Sequence, residues 1–122
     1  MTTKKLTLRS MGRELRTAIA ASQERKAGDL VVLDLRGLAN FTDFFLLATG
    51  SSSRQLRAIA DAIEEQLARN GVKPDHVEGY THGDWILMDY VDFIVHVFTP
   101  RSRAYYNLER LWGDAARLAI AS

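Results

Sequence analysis

With 122 residues, of which 47% are hydrophobic and 25% charged, the chain is large enough for one domain with a substantial apolar core. It has no cysteine, which excludes a disulfide framework, a thiolate metal site and a cysteine nucleophile. No apolar run approaches the ~20 residues that a membrane helix needs, and the N-terminus has no signal-peptide apolar region. We therefore expect a cytoplasmic protein that does not enter a membrane.

The net charge of +1 conceals an uneven distribution of charge along the sequence. Residues 1–26 carry seven bases and two acids, whereas residues 74–100 carry five acids and no lysine or arginine. Such asymmetry bears on partners rather than on fold. The acidic stretch would repel phosphate and attract a basic surface. The basic N-terminal segment is either a solvated helix face or an incidental contact with RNA.

The first segments in chain order are a predicted helix and two predicted strands. Apolar residues at helical spacing predict a helix over Thr7–Lys26, which Gly28 would end by adopting a left-handed conformation. Leu30–Leu35 is a short apolar run with two β-branched valines and predicts a buried strand. Asp43–Thr49 is apolar on both faces, so we expect this second strand in the middle of a sheet.

A second helix and a short extended segment follow. Ser52 with Gln55 three residues later predicts a capping box, which satisfies backbone donors left open in a first helical turn. A one-sided apolar stripe continues to Asn70-Gly71, where the helix would stop. Val72–Tyr80 is predicted to be a short strand or extended segment.

The densest apolar stretch, Gly83–Pro100, predicts a β-hairpin. Its strands are Trp85–Asp89 and Asp92–Phe98, joined by a tight connection at Tyr90-Val91. Because side chains alternate along a strand, Trp85, Leu87 and Asp89 would share one face, and Ile86, Met88 and Tyr90 the other. A large aromatic and acids near a hairpin tip are typical of a docking surface. Alternatively, Trp85 caps the core and the aspartates only solvate the turn.

The last predicted element is one helix, with Thr99 as N-cap, Pro100 at its first position and an apolar stripe that includes Tyr105 and Trp112. A short tail follows Gly113. We expect a single α/β domain over residues 1–122, a mixed β-sheet with packed helices, with flexible ends at residues 1–6 and 115–122.

Evidence for catalytic or metal chemistry in the sequence is weak. His76, His82 and His96 lack the short, defined spacing of a zinc site, and His96 is most simply a hydrogen-bonded, half-buried residue. Serines 51–53 lie at a strand-to-helix junction, where helix capping is favoured over an anion site. Asp89 and Asp92 suggest a nucleotidyltransferase metal pair only weakly, since they are three residues apart across a turn. We expect no catalytic, cofactor or metal site.

Several segments together resemble the ribosomal silencing factors, the RsfS or Iojap family. They occur in the family's order and span most of residues 12–116. The matching residues are Asp43–Gly50 with Ser51, Ser53 and Arg54; Gly83–Tyr90 with Asp92; Val95–Phe98; and Arg103 with Tyr105–Trp112. Val91 departs from the family, which usually has glycine in this turn, so the turn would be longer or of another type because β-branched residues disfavour positive φ.

The resemblance implies a nucleotidyltransferase-like fold that is used without catalysis. It further implies binding to ribosomal protein fourteen of the large subunit, which sterically blocks joining of the small subunit. Such factors repress translation under nutrient limitation and interfere with assembly of ribosomes into functional particles. A weak homodimer is also expected. The alternatives are a nucleotidyltransferase-like enzyme and a small RNA-binding module that uses the basic first helix.

The predicted contact surface for the ribosomal protein combines the hairpin with the last helix. It has a core of five hairpin residues and two flanking tyrosines. They are Trp85, Met88, Asp89, Tyr90 and Asp92, with Tyr105 and Tyr106 beside them.

Overall fold

The chain folds into a six-stranded mixed β-sheet with the strand order β3-β4-β5-β2-β1-β6, and helices pack on the sheet. The computed structural model describes residues 6–121. The strands are β1 (Gly28–Asp34), β2 (Phe44–Thr49), β3 (His76–Glu78), β4 (Trp85–Asp89), β5 (Phe93–Phe98) and β6 (Ala116–Ala119). The helices are α1 (Gly12–Glu24, after a 3₁₀ turn at Leu8–Met11), α2 (Ser53–Ala68), α3 (Pro100–Tyr106) and α4 (Leu108–Leu111). The prediction of a single α/β domain with a mixed sheet is confirmed.

The parallel pair β2 and β5 forms the centre of the sheet, and the other neighbouring strands are antiparallel. Every residue of both central strands is buried. Strands that are covered on both faces carry continuous apolar runs, which explains the sequences FFLLAT and FIVHVF. The predicted central position of the second strand is therefore confirmed.

The two faces of the sheet are covered unequally. Helices α1 and α2 pack on one face, where their apolar stripes join alternate residues of the strands. The opposite face, called here the outer face, has a smaller core of Val31, Leu33, Leu35, Phe45, Leu47, Ile94 and Phe98. Trp85, Leu87, Leu108 and Trp112 are only partly buried against it. Among residues 6–121, no helix is long and apolar enough to cross a membrane.

The hairpin prediction is confirmed for its faces but not for its turn. Exposure alternates along β4, with Ile86 and Met88 buried and the residues between them half-buried. The connection has three residues, Tyr90-Val91-Asp92, because β5 begins at Phe93. The Asp92 amide donates to the Tyr90 carbonyl at 2.9 Å across Val91, whose φ is 73°. This is a γ-turn with positive central φ, a rare and strained conformation.

The strain at Val91 gives a stability prediction. Val91→Gly should raise the free energy of unfolding by about 1 kcal/mol, since glycine adopts positive φ without the steric cost of a β-branched side chain. The Val91 side chain is 57% exposed, so little packing is lost. Urea denaturation of both proteins measures the difference. Val91→Ala, which keeps Cβ, is the control and should gain less; equal or lower stability of Val91→Gly would refute the assigned turn.

The ends of the first two helices differ in detail from the predictions. The first helix ends at Glu24, so the left-handed residue after it is Lys26, with φ 58°, and not Gly28, which begins β1. At α2, the Ser52 hydroxyl accepts from the Gln55 amide at 3.1 Å, as predicted. The Gln55 side-chain oxygen, however, accepts from the Ser51 amide at 2.7 Å. The reciprocal half of the capping box is therefore displaced by one residue.

The C-terminal segment departs most from prediction. The single predicted last helix is divided at Asn107, which has a left-handed conformation with φ 45° and separates α3 from α4. The predicted caps of α3 are confirmed, because the Thr99 hydroxyl accepts from the Ser102 amide and Pro100 opens the helix. The expected flexible tail from residue 115 contains β6, which pairs antiparallel with β1. The predicted flexibility of residues 1–5 lies outside the described residues.

Candidate docking surface

Large apolar side chains are exposed around the thinly covered outer face. Two short helices and a loop cover this face, in place of the long helices of the other side. The exposed side chains are Phe41 (53%), Tyr105 (81%), Tyr106 (49%) and Leu111 (71%). Phe41 contacts the Phe45 and Trp112 rings at centroid distances of 6.2 and 6.0 Å, which links this rim to the outer core. Several exposed apolar side chains around one face are typical of a protein-binding site.

Trp85 lies between the outer core and the exposed rim. Its ring stacks on Phe98 at a centroid distance of 5.9 Å and meets the Tyr106 ring at 4.4 Å. Its indole Nε1–H donates to Nδ1 of His96 at 3.0 Å. The side chain is half-buried. Trp85 therefore both packs on the core, as one sequence interpretation has it, and presents part of its ring to the surface, as the other requires.

His96 is buried beneath Trp85 and is only 3% exposed. The Phe45 ring contacts it edge-on at a centroid distance of 4.5 Å. Removal from water penalises the charged imidazolium, which lowers the pKa of His96 from 6.5 to about 3. The residue is hydrogen-bonded as predicted, but it is buried to a greater extent than the predicted half.

Asp89 and Asp92 place carboxylates at the end of the hairpin. The Val91 amide donates to Oδ1 of Asp89 at 2.8 Å, which fixes the turn. Oδ2 of Asp89 lies 3.7 Å from Nδ1 of His76 on the neighbouring strand. Asp92 is exposed, and its side chain has no hydrogen bond or ion pair among the described residues. This end of the sheet is therefore acidic and open to a basic partner.

Two of the predicted contact residues are in the core instead. Met88 is 1% exposed and Tyr90 is 8% exposed, and both belong to the core between the sheet and helices α1 and α2. The Tyr90 ring stacks on Phe93 at 5.1 Å, and burial, together with the charge of Glu64, raises the pKa of its hydroxyl. Strand alternation explains the error, since Met88 is on the side of β4 that faces the helices, and Tyr90, just beyond the end of the strand, continues that side.

The two tyrosines of α3 lie next to Trp85, and a partly exposed ionic network ties their helix to α4 and β6. Tyr105 meets Tyr106 edge-on at 5.0 Å, so the predicted flanking pair is adjacent to the hairpin. Arg103 of the same helix donates to the Thr49 hydroxyl at 2.8 Å and to Glu109 at 3.0 Å. Arg117 of β6 bonds the other oxygen of Glu109 at 3.1 Å.

This network keeps Glu109 charged. Burial alone would raise the pKa of the Glu109 carboxyl, but the hydrogen bonds and charges of Arg103 and Arg117 outweigh burial and hold that pKa below its ordinary value. The carboxylate therefore joins α3, α4 and β6 at neutral pH. It thereby anchors the helix that carries Tyr105 and Tyr106.

The structure also brings together donor atoms that sequence spacing did not connect. Asp75, His76 and Asp89 are a group of residues with possible metal-ligand atoms within 4.8 Å of one another. Nε2 of His76 also lies 3.1 Å from the Glu78 carboxylate. These side chains are largely exposed. At the strand-to-helix junction, Ser52 acts as the helix cap, in agreement with the favoured interpretation.

Several residues of this surface were missed by sequence analysis. Phe41, Leu111 and the histidine beneath Trp85 were not among the predicted contact residues. Phe41 lies in a loop between strands, where a single exposed aromatic carries no signal. The hydrogen-bonding role of His96 depends on the β4–β5 register, which pairs Leu87 with His96. Trp85 and His96 are eleven residues apart, so their hydrogen bond becomes apparent only when the register of the hairpin is known.

Comparisons with known proteins decide the family. A family model described as "Ribosomal silencing factor during starvation" matches residues 9–122. The chain belongs to this family. Its members include the ribosomal silencing factor RsfS of Bacillus subtilis, which is 43% identical over 101 residues, or 83% of this chain and 86% of that protein. The chloroplastic protein Iojap of Zea mays is 34% identical over 82% of this chain and 43% of its own length.

Solved structures agree with the membership in the ribosomal silencing factor family. A crystal structure of a Chromobacterium violaceum protein aligns with a TM-score of 0.80 and 34% identity, covering 88% of each chain. A Bacillus halodurans structure aligns with a TM-score of 0.75 and 36% identity, covering 88% of this chain and 96% of that one. The family resemblance found in the sequence is confirmed, as is a role in ribosome-related regulation of translation.

Proposed function

We propose that this chain binds the large ribosomal subunit through ribosomal protein fourteen and thereby sterically blocks joining of the small subunit. Translation is repressed as a result, especially under nutrient limitation, and assembly of ribosomes into functional particles is impeded. The chain acts in the cytoplasm through binding and not through catalysis. The description of its family refers to silencing of ribosomes and names no enzymatic activity.

The observation that carries this proposal is the exposed aromatic surface with an acidic end. Interface energy is concentrated in a few aromatic anchors that are surrounded by polar groups. Trp85 and Tyr106 are in contact, and Leu111, which is 71% exposed, follows Tyr106 by five residues in the chain. Residues 74–100 include five acids and no lysine or arginine, and two of these acids, Asp89 and Asp92, lie at the end of the hairpin. This combination suits a basic protein partner and opposes direct binding of RNA phosphates.

The proposed contact set therefore differs from the sequence prediction at four positions, of which two are removed and two are added. Trp85, Tyr106 and Tyr105 supply apolar contacts, and Asp89 and Asp92 supply the acidic end. Met88 and Tyr90 support the hairpin from within the core. Their substitution would affect binding only indirectly, by changing the shape of the hairpin. Leu111 and Phe41 are added at the rim.

A subunit-joining assay tests the proposed function. Purified chain is mixed with large subunits, small subunits are added, and the particles are separated by sedimentation. We expect the chain to migrate with large subunits and to reduce the fraction of joined ribosomes. Isolated ribosomal protein fourteen should bind the chain directly. Joining that is unaffected by saturating chain, or binding to the small subunit alone, would contradict the proposal.

The outer face also supports a proposed weak homodimer. Two copies would bury their exposed aromatic surfaces against each other, so self-association would compete with the ribosomal partner. Solution scattering at increasing concentration measures this directly. A monomeric mass at the highest concentration would exclude the dimer and leave the ribosomal proposal intact.

A charge substitution tests the acidic end. Asp92→Lys should weaken binding of the basic partner by roughly 1 kcal/mol, or about fivefold, and the loss should be greater at low salt because exposed charges are screened by ions. Asp92 is suitable because its side chain makes no contact that folding requires. Titration at two salt concentrations measures the effect.

The matched control for this substitution is Glu24→Lys, an equal charge change at the end of α1. Glu24 is exposed and lies on a helix that packs against the other side of the sheet. It should leave binding within about twofold of the parent. Equal weakening by both substitutions would mean that net charge, and not the hairpin end, determines affinity.

A further inference from the structure

Below the proposed docking surface, one buried titratable side chain has a feature that packing alone does not explain. His96 lies in the middle of β5, is 3% exposed and is surrounded by the rings of Phe45, Trp85 and Phe98. Its Nε2 is buried without a hydrogen-bond partner among the described residues. A buried polar atom without a partner destabilises the folded state, because it has lost its hydrogen bond to water. Leucine or phenylalanine would fill an apolar site of this kind without that cost.

What histidine provides here is an acceptor for the indole of Trp85. The Trp85 Nε1–H donates to Nδ1 of His96 at 3.0 Å, and no other partner for that indole is present among the described residues. Because Nδ1 accepts, a neutral imidazole must carry its proton on Nε2. The acceptor is present throughout the physiological pH range, because burial lowers the pKa of His96 to about 3.

The hydrogen bond also selects one orientation of the indole. Rotation about the second side-chain torsion of tryptophan is broad and roughly two-fold. A half-buried indole can therefore pack similarly in two orientations that differ by a flip of the ring. The Phe98 and Tyr106 rings contact the indole without distinguishing its two edges by hydrogen bonding. The bond to His96 places the N–H edge inward, which leaves the benzo edge as the part available to a partner.

We propose that His96 is a positioning residue of the docking surface, which holds the Trp85 indole in a single orientation before the partner arrives. This inference rests on the proposed function only in its effect on affinity. A side chain that is already fixed loses less conformational freedom on binding, so preorganisation increases affinity without adding a contact. His96 itself touches no partner, since it lies beneath Trp85.

The first test concerns the free chain and requires no partner. In ¹⁵N-labelled protein, the imidazole shifts should report the Nε2–H tautomer of His96. The Trp85 Nε1–H should exchange with solvent at least about tenfold more slowly than in His96→Phe, because the bond protects it. A Trp112→Phe background leaves one indole signal to follow. An Nδ1–H tautomer, or equal exchange in both proteins, would overturn the inference even if the chain binds ribosomes.

The second test is a double-substitution cycle measured by binding to isolated ribosomal protein fourteen. His96→Phe should weaken binding about fivefold, which corresponds to one lost hydrogen bond. In a Trp85→Phe background, where the donor is already absent, His96→Phe should have less than about a twofold effect. A purely structural role predicts the same loss in both backgrounds, and that result would overturn the proposal. His96→Asn, which retains an acceptor, should recover part of the affinity.

The two tests separate failure of this inference from failure of the proposed function. If the parent chain does not bind the ribosomal protein, the proposed function is wrong, and the tautomer and exchange measurements still decide whether His96 positions Trp85. Thermal unfolding of each variant is recorded alongside. If His96→Phe unfolds, Trp85→Phe removes the same hydrogen bond from the donor side and should weaken binding by about fivefold or more; unchanged affinity in that variant would overturn the inference.

Discussion

Trp85→Ala should lower the affinity of the chain for large subunits by about thirtyfold or more, which corresponds to about 2 kcal/mol. The substitution removes the half-buried aromatic that joins the outer core to the exposed rim. It takes away the ring that Tyr106 contacts at 4.4 Å and leaves Nδ1 of His96 without its donor. Both the anchor and the order of the adjacent tyrosine are lost. Binding of labelled chain to purified large subunits, measured by titration, gives the ratio.

Stability must be measured on the same variant, because Trp85 also packs against Phe98. Leu118→Ala is a suitable control. Leu118 is a partly buried residue of β6, packed at the opposite edge of the sheet against the helix-covered core. It should lower the unfolding midpoint while leaving affinity unchanged. If Trp85→Ala remains folded and binds as tightly as the parent, the outer face is not the docking surface.

Gly79→Ala should lower the free energy of unfolding by about 3 kcal/mol or more. Gly79 has φ 79°, and a Cβ placed there would lie 2.0 Å from the Trp85 carbonyl oxygen. The obstacle is backbone, so no rotamer change relieves it. The loop cannot easily withdraw either, since Arg57 donates to the Tyr80 and Thr81 carbonyls at 3.0 and 2.7 Å. Relief therefore requires displacement of β4 at Trp85. Urea denaturation provides the measurement.

Gly71→Ala is the matched control for this substitution. Gly71 has a similar φ of 75°, but an added Cβ would meet nothing within 4 Å. It should cost only the conformational penalty of a left-handed alanine, about 1 kcal/mol. The difference between the two variants then isolates the collision with β4. Similar losses at Gly71 and Gly79 would show that the close approach to Trp85 is absent.

The strands and most helix caps were predictable because their signals are local. The apolar runs of β1 and β2, the alternation along β4, and Thr99-Pro100 at the start of α3 are each signals that involve only a few neighbouring residues. The break at Asn107 was not predictable, because the left-handed conformation there follows from the tertiary position of Leu108 and Trp112 on the outer core. Likewise, the sequence of Ala116–Ala119 has no local strand signal, and the segment is recognised as a strand only through its pairing with β1.

The candidate surface was predictable in outline but not in its detailed contacts. The prediction that Trp85 and Asp89 share one face of the hairpin is correct, because the side chains of a strand alternate and these two residues are four positions apart. Inclusion of Met88 and Tyr90 came from proximity in sequence, which does not distinguish the two faces of a strand. The contact between Tyr106 and Trp85 joins two elements through the packing of α3 on β5, and no periodicity encodes such a contact.

The edge strand β6 has a consequence for the order in which the molecule opens. It has four residues, three of them exposed, and it is held to β1 by a short ladder and by the Ile120 amide bond to the Leu30 carbonyl at 2.8 Å. Elements with so few buried contacts detach at low free energy, well before global unfolding. Detachment would uncover Leu30–Leu33, an uncharged β-rich run whose free backbone groups can template pairing with another chain. An exposed edge strand thus protects an aggregation-prone strand from pairing with other molecules.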